Sequence, residues 1–102
     1  MNSDTFNTVV TEQISRSTSV LITKAKEYAT DSDRLHNFKI AAELKGESTR
    51  EALAGMMVKH TVSIYDMCKD RYSYTLEVWN EKITDHINYL LLLRAVIEDE
   101  TD

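Results

Sequence analysis

From Asp4 to Ala29 the apolar residues Phe6, Val9, Val10, Ile14, Leu21, Ala25 and Tyr28 recur every three to four positions, the spacing that gathers side chains on one side of an α-helix. The middle of this segment, with Ser15, Ser17, Thr18 and Ser19, is made of residues that compete for backbone hydrogen bonds. The helix is therefore expected to depend on what its apolar face packs against. Asp31, Ser32 and Asp33 are capping candidates for a short second helix carrying Leu35, Phe38, Ala41, Ala42 and Leu44, and Gly46 stands where a left-handed residue ends a helix. Ser48-Thr49-Arg50-Glu51 fits the capping-box pattern and opens a third helix, from about Thr49 to about Lys69. Its apolar face carries Leu53, Met56, Met57, His60, Ile64, Met67 and Cys68. Thr75 then caps a fourth helix, from Leu76 to about Glu98. There Trp79, Ile83, Ile87, Leu90 and Ile97 form one stripe, with Val78, Tyr89, Leu92 and Val96 nearly opposite. A helix that is apolar on both sides is either central in a bundle or shared with another subunit.

The predicted architecture is all-α: a four-helix, bundle-like single domain over residues 1–102, with 98–102 expected to fray as a short acidic tail. Composition strengthens this, because 102 residues with no proline and two glycines lack the turn residues that a β-sandwich or a Gly-rich phosphate loop requires. The net charge of −5 is unevenly spread. Residues 1–50 carry seven charges of each sign, and residues 51–102 carry five basic and ten acidic. With no basic cluster, binding to a duplex nucleic acid backbone is disfavoured. One cysteine, Cys68, allows neither an intrachain disulfide nor a Cys-based zinc site, and its place on an apolar stripe predicts inert burial. No signal peptide and no run of 18 apolar residues is present, so a cytoplasmic protein without membrane insertion is expected.

Candidate chemistry concentrates on the fourth helix. Glu81, Asp85 and Asn88, at spacings of four and three, stack three oxygen-bearing side chains on one face. They are read either as a site for Mg²⁺ or a polar ligand, with Asp85 and Glu81 as the metal carboxylates, or as an exposed polar stripe. His60 lies among the methionines of the third helix and is expected to be a hydrogen-bonded core residue rather than a base. Lys59, with Ser63, Asp66 and Asp70, lies on a second face that would position an anionic ligand or be solvated.

The order Tyr28-Ala29-Thr30-Asp31, Arg34 with His36-Asn37-Phe38, Ala54-Gly55-Met56-Met57, Lys59, Trp79, Asp85 and Asn88-Tyr89 resembles a group of small phage and prophage proteins associated with nucleotide modification. The likeness spans residues 28 to 97. Those proteins are in turn similar to all-α nucleotide pyrophosphohydrolases of MazG type, dimers that hold Mg²⁺ with clustered helix carboxylates. The resemblance implies a nucleotide ligand held by Asp85, Asn88, Glu81, Lys59, Arg34 and Asn37, and a homo-oligomer. Three differences stand out. Ala29 replaces a usual glycine, Lys82 stands three residues before Asp85 where a glutamate is typical, and Met56-Met57-Val58-Lys59-His60 has no acidic run. Four carboxylates thus become two, which weakens any expectation of hydrolysis. The alternative reading is a non-enzymatic phage protein with anti-defence action, which blocks a host factor such as a nuclease or sequesters a nucleotide signal.

Overall fold

Four helices form close to where the apolar spacing and capping signals put them: α1 spans Ser3–Tyr28, α2 His36–Lys45, α3 Thr49–Lys69 and α4 Leu76–Glu100. The computed structural model describes residues 1–28, 33–70 and 74–101, with 24–28 as backbone only, and among these there is no strand. The fold is all-α and bundle-like. Ala29, Asp31 and Ser32, which bear on the turn after α1 and the cap of α2, lie outside the described residues.

The helix ends follow from local chemistry. Gly46 has φ 68°, and the Gly46 and Glu47 amides donate to the Glu43 and Ala42 carbonyls, closing α2 in a Schellman motif. Ser48 Oγ accepts from the Glu51 amide and Glu51 Oε1 accepts from the Ser48 amide, each at 3.1 Å, so two of the orphan donors at the start of α3 are satisfied. The Ser48 amide, and after it the Ser48 hydroxyl, favour an ionised Glu51 and hold its carboxyl below the usual range. Ser48→Ala is expected to cost about 1 kcal/mol, the ordinary price of a lost N-cap, read as a fall in the urea midpoint at constant slope. Thr75 caps α4 by accepting from the Val78 amide. Asp33 differs from expectation. The residue at the head of α2 is Leu35, without a side-chain cap, and Asp33 Oδ1 instead accepts from the Leu35 amide one step earlier (2.9 Å).

α4 is central: it packs on α1 and on α3, and α2 packs on α3. α3 runs antiparallel to it, since Leu53 and Val96 share the core while Thr61 Oγ1 and His86 Nε2 meet at 2.9 Å farther along. The core is thin. Leu35, Leu53 and Val96 form its centre, with Phe38, Tyr89, Leu92 and Leu93 packed around them. A radius of gyration of 15.7 Å exceeds the ~13 Å of a compact chain of about 100 residues, because α1 and α4 are long and incompletely covered. No helix among the described residues is long and apolar enough to cross a membrane.

Three expectations are corrected here. Phe6, Val9, Val10 and Ile14 of α1 are exposed, and the packed part of this helix is its serine-rich middle. Ser17 is buried there, and Gln13 Nε2 donates both to Ser17 Oγ (3.0 Å) and to Thr84 Oγ1 of α4 (2.9 Å). Small polar side chains let the two helices approach, and mutual hydrogen bonds remove the penalty of burying them. Cys68 is exposed, because Met67, one residue earlier and turned by 100° on the helix, takes the inward position. Residues 98–100 are the last turn of α4 rather than a frayed tail: Lys39 pairs with Asp99 (3.2 Å), Arg50 with Glu100 (3.0 Å) and Arg94 with Glu98 (2.9 Å). Asp102 lies outside the described residues.

Candidate functional site

The four helices converge on a cavity of about 300 Å³. Leu21 of α1, Arg34, Asn37 and Phe38 at the head of α2, Met56 and His60 of α3, and Asp85, Asn88, Tyr89 and Leu92 of α4 form its wall. Each arrives for a local reason. Arg34 is tied to α1 by donating from Nη2 to the Leu21 carbonyl (3.0 Å), and the Asp33 turn that precedes α2 is braced by Lys39, 2.8 Å from Asp33 Oδ2. That contact and the Leu35 amide hold the Asp33 carboxyl below its usual range, the Lys39 bond being the larger cause. Asn37 and Phe38 then follow on the first turn of α2. On α4, Asp85, Asn88, Tyr89 and Leu92 are spaced three or four apart and share the face turned into the bundle.

Four of the six ligand residues expected from the sequence, Arg34, Asn37, Asp85 and Asn88, thus line one cavity. Glu81 and Lys59 do not. Both are exposed; Glu81 borders, with Asp85, Glu77, Asn80 and Arg16, an open cleft between α1 and α4. The three stacked side chains on α4 are graded in exposure: Glu81 is exposed, Asp85 half-buried and Asn88 buried, which overturns a uniformly solvated stripe. Among the described residues no three His, Cys, Asp or Glu side chains come together to hold a metal ion. Glu81 and Asp85 alone do not match the donor set of a two-metal hydrolytic centre.

Asn88 is the unusual member. It is 6% exposed, and among the described residues neither Nδ2 nor Oδ1 of its amide has a hydrogen-bond partner. A buried unpaired amide costs roughly 1–3 kcal/mol, and few persist in folded proteins without a reason. The apolar spacing places Phe38 and Tyr89 on helix stripes and His60 among core residues. Phe38 meets Tyr89 edge-on, ring centroids 6.5 Å apart, and His60 lies against the Tyr89 ring at 4.8 Å. Helical spacing marks such residues as inward-facing and gives no sign that the space they face is open.

His60 is half-buried, and burial lowers its pKa against the opposing pull of the Asp85 carboxylate; Lys59, Lys82 and His86 lower it further. With the folded value below the unfolded one of about 6.5, the unfolded chain binds the proton first as pH falls. Stability is then lost between about pH 6.5 and the lower folded value, and is level above that window. Denaturation midpoints are expected to decline from about pH 7.5 to 5.5 in the wild type, and the decline should shrink in His60→Gln. Carboxylates such as Asp33 and Glu51, whose folded values are depressed, act at lower pH.

Neither a protein-family model, nor a curated protein, nor a solved structure matches this chain.

Proposed function

We propose that the chain is a small helical nucleotide-binding protein of the cytoplasm whose ligand occupies the cavity between the four helices. The observation that carries this reading is the buried Asn88 amide, without a partner among the described residues, in the wall of a cavity that is half apolar and aromatic. Ligand sites combine such walls with a few placed polar groups, and an amide left without a partner by the fold is available to one supplied by a ligand. Arg34, Asn37 and Asp85 add charge and polarity at the same place. Mg²⁺ would enter as a companion of the ligand's phosphates, and no hydrolytic step is derived from the two carboxylates Glu81 and Asp85.

The test is a melting series with nucleoside mono-, di- and triphosphates, with and without Mg²⁺. A ligand at a hundredfold excess over its Kd stabilises the folded chain by about 2.7 kcal/mol. No rise with any nucleotide at millimolar concentration would reject the reading.

The reading includes a homodimer, supported by Phe6, Val9, Val10 and Ile14, four apolar side chains of α1 left in solvent. Exposed apolar surface of this kind marks interfaces. Sedimentation is expected to give a dimer at tens of micromolar and a monomer for the Phe6→Ser, Val10→Ser double variant. A wild-type monomer would remove the dimer. The alternative, a protein that inhibits a host defence factor, draws on a different surface: Val58, Val62 and Tyr65 are exposed on the outer side of α3. It gains if the nucleotide series is silent.

A further inference from the structure

We infer that the planar base of the nucleotide, and not its phosphate chain, fills the cavity, with Asn88 reading the edge of the ring and the phosphates outside the mouth. This rests on the nucleotide-binding reading and deepens it.

Three features of the wall support the orientation. The first is the shape of the unmet polar demand. The Asn88 amide presents a donor group, Nδ2, beside an acceptor, Oδ1, and both lack partners among the described residues. That pair is complementary to the adjacent donor and acceptor on the edge of a nucleobase, and a phosphate oxygen, which only accepts, would leave Oδ1 unpaired.

The second is charge. Among the residues lining the cavity, the positive charge of Arg34 is offset by the negative charge of Asp85, and burial biases His60 towards its neutral form. A polyphosphate carries several negative charges and is normally met by several cations or a helix N-terminus. Among the described residues the wall offers one guanidinium, Arg34, beside the first turn of α2, and the Asp85 carboxylate would repel a polyphosphate.

The third is surface and size. Leu21, Phe38, Met56, Tyr89 and Leu92 supply the apolar and aromatic part of the wall, a lining that suits a flat heterocycle. A volume of about 300 Å³ stands at the lower end of the range for ligand sites, which suits a base or a nucleoside better than a whole triphosphate. The chemistry shared by all acceptable ligands is a planar heterocycle with a donor next to an acceptor.

Calorimetric titration of the full chain compares adenosine, guanosine, cytidine and uridine, their triphosphates, ribose 5-phosphate and inorganic tripolyphosphate. At least one nucleoside is expected to bind within about tenfold of its triphosphate, while ribose 5-phosphate and tripolyphosphate give no heat. Asn88→Leu should weaken that nucleoside by about 5- to 150-fold, the value of one well-made bidentate contact. Because leucine also takes up room, Asn88→Asp is measured beside it. Aspartate keeps the shape and the acceptor oxygen but puts a second acceptor where the Nδ2 donor stood, and should weaken binding as well. If triphosphates bind but tripolyphosphate binds equally, or if both Asn88 variants leave nucleoside affinity unchanged, the base-inward orientation is overturned and nucleotide binding stands. If no nucleoside and no triphosphate binds to a chain that melts cooperatively, the functional reading itself falls and takes this inference with it.

Discussion

Leu53→Ala is expected to destabilise the chain by about 2–5 kcal/mol, the range for removing a fully buried leucine side chain. Leu53 is 0% exposed and touches the centre of the only core that the described residues build, between Leu35 of the α2 head and Val96 of α4. Removing its three terminal carbons leaves a void between α3 and α4, and the rigid helices on either side have little freedom to close it. The loss is large relative to the total, because domains of this size hold only about 5–15 kcal/mol in all. At roughly 4–8 °C per kcal/mol the melting temperature should drop by at least about 8 °C. Leu44 provides the control, since at 83% exposure Leu44→Ala should stay within about 0.5 kcal/mol of wild type. A loss below about 1 kcal/mol for Leu53→Ala would mean that the centre of the core lies elsewhere, most simply in a subunit interface.

The thinness of that core explains which parts of the molecule were legible in the sequence. Helix boundaries were, because they are set by short-range chemistry: the Ser48/Glu51 box, the left-handed Gly46 and the Thr75 cap each act within four residues. The side of α1 that packs was not. A periodicity argument assigns Ser17 and Gln13 to solvent and Phe6 and Ile14 to the core, yet the helices meet through Gln13, Ser17 and Thr84, whose hydrogen bonds to one another cannot be seen in a pattern of apolar positions. Cys68 fails for a related reason, since adjacent residues on a helix differ by 100° and only packing chooses between Met67 and Cys68. In the site, Asp85 and Asn88 were legible from their spacing, and Arg34 and Asn37 from the resemblance. Lys59 and Glu81 were added by the same reasoning and lie outside the cavity, because sharing a helix with site residues does not fix the angle at which a side chain leaves it. His60, Phe38 and Tyr89 carried the opposite ambiguity: a residue that faces a cavity and one that faces a neighbour have the same spacing.

Asn88→Leu is expected to make the ligand-free protein more stable, by about 1–2 kcal/mol, even as it weakens binding. In the folded chain the Asn88 amide gives up its hydrogen bonds to water and gains none from protein, a penalty of roughly 1–3 kcal/mol that the unfolded chain does not suffer. Leucine has the same branching and number of side-chain heavy atoms, no polar atom to satisfy and a better helix propensity at a mid-helix position of α4, and the adjoining cavity has room for its bulkier methyl groups. Its branched end would lie against Phe38, Tyr89 and Leu92 in the same wall. A stabilising change at a buried position is uncommon, because most core substitutions lose packing, and it identifies a residue held for function at a cost to the fold. The two states of the protein should therefore rank the variants in opposite order: Asn88→Leu melts higher than wild type without ligand, and wild type melts higher once a binding nucleoside saturates the cavity. If Asn88→Leu instead melts lower than wild type without ligand by the equivalent of about 1 kcal/mol or more, the amide is already satisfied in the folded chain, and the argument that it awaits a ligand fails.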